Sequence, residues 1–186
     1  MKNTLSTLFF FFLGTLFVFS QETETTDDAI LLEKKHEFRI DALEGLIFPA
    51  IDLSYEYVIN KFSGAGISVF INLEDTPSNY QNFALTPYYR QYLFNKKEYG
   101  ARGFFAEGVL QYSTGSEETY FFENGADVFR DEKWNAFGIG FAIGQKWVSK
   151  NGFIIEISAG GGRNFGDEAI VPDGFFRGGI LVGYRF

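Results

Sequence analysis

From His36 onward the side chains alternate with a period of two, and they do so in eight separate segments. That is the period of a β-strand, whose successive side chains point to opposite faces. The last segment, GGILVGYRF, shows the pattern most plainly. Ile180, Val182, Tyr184 and Phe186 share one parity, and Gly179, Leu181, Gly183 and Arg185 share the other. A soluble sandwich would pair an apolar face with a well-solvated one. Here the second face carries Gly, Ala, Ser and isolated charges, which is a poor solvated face. An apolar face that meets lipid restricts a sheet to one form, the closed barrel, because no backbone edge can be left unpaired there.

The eight expected strands run His36–Gly45, Ala50–Val58, Gly64–Leu73, Phe83–Leu93, Arg102–Tyr112, Trp134–Trp147, Gly152–Gly162 and Gly178–Phe186. The sixth illustrates the rule: Phe137, Ile139, Phe141 and Ile143 oppose Ala136, Gly138, Gly140 and Ala142. The connections alternate in kind. After strands two, four and six come compact turns, INKFSG, FNKKEYG and VSKNG. After strands three, five and seven come longer acidic loops, EDTPSNYQ, STGSEETYFFENGADVFRDEK and NFGDEAIVPDG. Only the first connection, around Leu46 to Pro49, is short. Short turns at one end and long loops at the other are the pattern of an eight-stranded antiparallel up-and-down barrel of the outer-membrane type.

Collecting the charges on the second parity gives Arg39, Arg90, Arg177 and Arg185 against Asp41, Asp52, Glu56, Glu107 and Glu156. These nearly cancel, which suits an enclosed network of ion pairs. Eight strands leave an interior that side chains fill, and Gly138, Gly140, Gly160 and Gly183 leave room for the long ones.

The N-terminal stretch MKNTLSTLFFFFLGTLFVFSQ has the layout of a secretory leader: Lys2, an apolar middle from Leu8 to Phe19, and a cleavage site after Ser20. The expected organisation is therefore a leader over residues 1–20, a flexible polar segment over 21–35 and a barrel over 36–186. With no cysteine there is no disulfide framework and no thiol for a lipid. A formal net charge of −8 argues against nucleic acid as a partner. An aromatic content of 19% beside 21 glycines favours strands and tight turns over helices.

The terminal alternation Ile180, Val182, Tyr184, Phe186 resembles the C-terminal strand that the barrel-insertion machinery of bacterial outer membranes reads. PYYRQYLF (Pro87 to Phe94), GFFAEGVL (Gly103 to Leu110), GQKWVSKNGFIIEISAGGGRN (Gly144 to Asn164) and RGGILVGYRF (Arg177 to Phe186) are similar to a Bacteroidetes family of small secreted proteins, domain of unknown function 3575. The resemblance covers most of residues 36–186. It implies a barrel-like envelope protein in contact with outer-membrane lipid and carries no known catalytic residue.

Other motifs are weaker. GIGFAIG (Gly138 to Gly144) and GGGRNFG (Gly160 to Gly166) lack the following helix that a phosphate-binding loop needs. His36 is the only histidine, and neither a nucleophilic triad nor a metal site is built from one unassisted ring. Glu107 and Glu156 read as ion-pair partners of the arginines rather than as a hydrolytic carboxylate pair. The loop acids Glu117, Glu118, Glu123, Asp127, Asp131 and Glu132 have no defined cation-ligand spacing and read as solvated. No catalytic residue, cofactor or metal site is expected. Two classes of function remain: a plugged barrel that supports the membrane and displays its loops, or a narrow path for small hydrophobic molecules.

Overall fold

The computed structural model describes residues 34–47, 49–73, 81–93, 100–123, 126–166 and 170–186. The expected leader lies outside them, as does most of the polar segment that follows it. Eight strands form one closed antiparallel barrel in sequence order: β1 (His36–Asp41), β2 (Ala50–Asn60), β3 (Ser63–Asn72), β4 (Phe83–Tyr92), β5 (Gly103–Glu123), β6 (Ala126–Val148), β7 (Phe153–Phe165) and β8 (Gly174–Arg185). The barrel closes where β1 meets β8, from Glu37 opposite Arg185 to Asp41 opposite Leu181. Beyond that ladder His36 and Phe186 exchange two backbone hydrogen bonds of 3.2 and 2.9 Å.

The turn end is built from local chemistry. Asn60 Oδ1 accepts the Phe62 amide at 2.8 Å between β2 and β3. Ser149 Oγ accepts the Phe153 amide at 2.9 Å between β6 and β7, and Gly152 supplies the positive φ of 96° that this turn requires.

Two connections differ from expectation. The first strand stops at Asp41, not Gly45, and a short helix α1 (Ala42–Ile47) follows. Asp41 ends the strand by capping that helix: its Oδ1 accepts the amides of Leu43 at 2.8 Å and Glu44 at 3.3 Å. The second correction concerns residues 113–133, read above as a loop. Residues 113–123 and 126–133 form a paired ladder that continues β5 and β6 to Glu123 opposite Ala126. β4 accompanies β5 only to Thr114, so the hairpin projects about 30 Å past it at the usual strand rise.

The polarity of the barrel is inverted relative to a soluble protein. Its largest fully buried side chains include Arg39, Arg90, Arg185, Lys146, Glu37, Glu56 and Glu156, whereas Phe141 is 69% exposed and Phe137 66%. The sixth strand keeps the expected alternation, with Gly140 half-buried. Phe137, Ile139, Phe141 and Ile143 point out, and Ala136, Gly138 and Ala142 are buried within.

A candidate functional site in the barrel interior

The interior charges join in one chain of alternating sign along the barrel axis. At the turn end, Arg185 reaches Glu37 with Nε at 2.7 Å and donates Nη1 and Nη2 to the carbonyls of Gly100 and Ala101, each at 2.8 Å. Lys146 Nζ bridges Glu37 at 2.8 Å to Glu56 at 3.1 Å. In the middle, Arg39 meets Glu156 at 2.6 Å and Glu56 at 2.8 Å. Arg90 clamps both oxygens of Glu156, at 2.7 and 2.8 Å, and bonds Glu107 through Nε. Towards the loop end, Arg177 takes the other oxygen of Glu107 at 3.0 Å, Ser68 Oγ at 2.9 Å, and stands 3.7 Å from Asp52.

Aromatic rings pack among these ions. Tyr92 donates to Glu56 at 2.6 Å, and the Arg90 guanidinium lies 4.2 Å from the centre of the Phe105 ring. A delocalised cation over a ring face gains from the ring quadrupole where water is absent. Val58, Tyr92, Ala101 and Phe105 form a buried apolar cluster at the turn end. With Arg185 tied to the Gly100 and Ala101 carbonyls, this cluster is a sealed floor.

Of the nine charges expected inside, Arg39, Glu56, Arg90, Glu107, Glu156, Arg177, Arg185 and Asp52 take part in ion pairs. Asp41 is buried but serves as the helix cap described above, not as a member of the ion-pair chain. Sequence reading missed Glu37 and Lys146. Both lie on parities already assigned to the interior, Glu37 with Arg39 and Lys146 with Ala142, so the signal was present. It also missed Glu44, which α1 brings to the loop-side mouth. Burial, with Asp52 and Asp41 adding to it, pushes the Glu44 carboxyl up to about 7. Ile180, Val182, Tyr184 and Phe186 share the outer face, with Phe186 stacked on His36 and on Phe38 at ring separations of 5.9 Å.

Close packing around the network gives a direct test. A Cβ on Gly64 would run into Glu56 Oε1, which Tyr92 and Lys146 hold in place. Gly64→Ala is expected to cost about 1–3 kcal/mol as an overpacked interior site. Urea midpoints in lipid vesicles measure it, and an unchanged midpoint would show the carboxylate free to move.

The architecture defines a class: a closed antiparallel barrel with an apolar exterior and an ion-paired, floored interior. Comparison of the chain with protein-family models, with curated proteins and with solved structures finds no match.

Proposed function

We propose that this chain is a small outer-membrane barrel of structural or interaction type, exported by its leader and non-catalytic, with its lumen plugged by its own side chains. The observation that carries this reading is the inverted polarity. Buried Arg, Lys and Glu lie inside a wall whose large apolar side chains face outward. Among the described barrel-wall positions that face out, the one Asp, Glu, Lys or Arg is Arg163, on β7 opposite Ile139. Aromatic residues gather at the two ends of this wall. His36, Tyr57, Tyr89, Phe104, Phe153 and Tyr184 lie towards the turns, and Phe83, Tyr112, Phe137, Phe165 and Phe176 towards the loops. Leu53, Ile67, Ile139, Phe141, Ile143, Ile155 and Ile157 lie between. An apolar band flanked by aromatic girdles matches the two interfaces of a bilayer. No described helix is long and apolar enough to cross a membrane, a fact that leaves strand-built spans untouched.

The sealed floor and the mutual commitment of the interior ions argue against both a through-path and an acid–base pair facing a substrate. The resemblance to the small secreted Bacteroidetes family belongs to the same reading, and the terminal residues Ile180, Val182, Tyr184 and Phe186 act in it as the insertion signal. Membrane fractionation combined with heat-modifiable electrophoretic mobility tests the proposal. It expects an outer-membrane fraction and a band that migrates differently before boiling, and a soluble, heat-insensitive protein would overturn it.

The two faces of the wall are also expected to respond differently to substitution. Arginine at Ile155, which faces out, should destabilise the protein by about 2–4 kcal/mol near a bilayer midplane. Inward Ser158 should accept threonine at much smaller cost. Equal costs at the two kinds of site in vesicle titrations would contradict the membrane assignment.

A further inference from the structure

The mouth opposite the floor is chemically unbalanced. Glu44 Oε2, Asp52 Oδ1 and Gln111 Oε1 are all buried without a hydrogen-bond partner. The three residues line one cavity of about 40 Å³, together with Ser68, Thr86 and Arg177. Gln111 is only 6% exposed and its amide nitrogen is committed to Thr86 Oγ1 at 3.3 Å, which leaves its carbonyl unpartnered at the cavity. Arg177 is engaged elsewhere, on Glu107 at 3.0 Å and Ser68 at 2.9 Å, and stands 3.7 Å from Asp52. Three acceptors therefore stay unmet in a space where an unmet acceptor is costly, and a carboxylate more so.

We infer that this mouth is a binding site for a hard divalent cation of the calcium or magnesium class, held by Glu44, Asp52 and the Gln111 carbonyl. The sign follows from the unmet acceptors and from two carboxylates with a third, Asp41, close behind. The size follows from the cavity, which lies far below the roughly 300–1,000 Å³ of organic-ligand pockets and admits an ion with a water or two. The hardness follows from an all-oxygen donor set without His or Cys. A neutral water would satisfy one lone pair but add no positive charge beside Glu44 and Asp52, where Arg177, 3.7 Å from Asp52, is the neighbouring cation.

Among the described residues no three carboxylate or histidine side chains form a ready metal cage. Water therefore completes the shell, and affinity falls in the weak range of extracellular sites, with Kd about 10⁻⁴–10⁻³ M. The inference goes beyond the membrane reading: the site needs only the closed barrel and α1.

Calorimetric titration of the full folded chain with calcium chloride, and separately with magnesium chloride, tests it in detergent or zwitterionic phosphatidylcholine vesicles. One ion per chain is expected, with affinity lowered on the order of tenfold or more by Asp52→Asn and by Glu44→Gln. The ion should also raise the urea midpoint of the wild-type protein but not of Glu44→Gln. Because Glu44 sits on α1, outside the barrel wall, that variant keeps the test open should Asp52→Asn fail to fold. Glu132→Gln, on the projecting hairpin, should bind as the wild type does. No heat and no midpoint shift with either salt would overturn the inference. So would binding that survives both mouth substitutions, or binding lost in Glu132→Gln.

Discussion

Deleting Phe186, or replacing both Tyr184 and Phe186 with aspartate, is expected to abolish assembly of the barrel. The seam between β1 and β8 rests on a six-residue strand, so each pair along it matters. Phe186 extends the seam by two backbone hydrogen bonds with His36, and its ring stacks on His36 and Phe38. Tyr184 lies between Phe38 on one neighbouring strand and Phe153 on the other, facing out. Two carboxylates there would stand in the girdle that the proposed membrane interface requires. They would also remove the aromatic pattern that resembles an insertion signal. The expected observation is the absence of a heat-modifiable band in cell envelopes, with the chain degraded or retained before the membrane. Normal amounts of heat-modifiable, surface-accessible protein would refute both arguments together.

Much of the barrel was legible because the two-residue period survives wherever one face is apolar and the other small or charged. The facings of β2, β4 and β6 follow from that period alone, as does the even strand number that returns Phe186 beside His36. What escaped was governed by other physics. Asp41 kept the parity of Arg39 and Glu37, and nothing in that parity distinguishes an interior ion from a helix cap. The distinction lies in the next residues, Ala42-Leu43-Glu44, which suit a helical turn after an Asp cap.

The hairpin beyond Thr114 was hidden by its charges. Glu117 stands opposite Glu132 and Glu118 opposite Asp131, like-charge pairs that propensity alone disfavours. The overlooked signal was Asn124-Gly125 between Tyr120-Phe121-Phe122 and Val128-Phe129, the strongest short hairpin cue a sequence carries. The mouth was not legible at all. Glu44, Asp52 and Gln111 come from three separate elements, and only closure of the barrel with α1 over its rim brings them together.

The largest effect inside the wall is expected from Arg90. The residue is 1% exposed, and its guanidinium serves Glu156, Glu107 and Glu56 at once. A buried ion pair is a weak contributor to net stability, because desolvation offsets attraction, but removing one partner strands the other at high cost. Arg90→Ala would leave Glu156 to Arg39, Glu107 to Arg177 and Glu56 to Arg39 and Lys146, one positive charge short in a buried network, and a loss of about 3–5 kcal/mol is expected. Arg177→Ala should cost less, since its side chain keeps some contact with solvent and can yield its place to water. Urea unfolding in vesicles ranks the two variants. Conductance across planar bilayers then separates plug from pore. The wild-type protein should pass no steady current, because the apolar floor and the Arg185 bonds to Gly100 and Ala101 close the turn end even where the mouth is wet. Arg90→Ala should leak only if the carboxylates it leaves short of positive charge draw in water past Phe105 and Tyr92. A stable, voltage-insensitive channel in the wild-type protein would remove the plugged-barrel reading and put transport in its place.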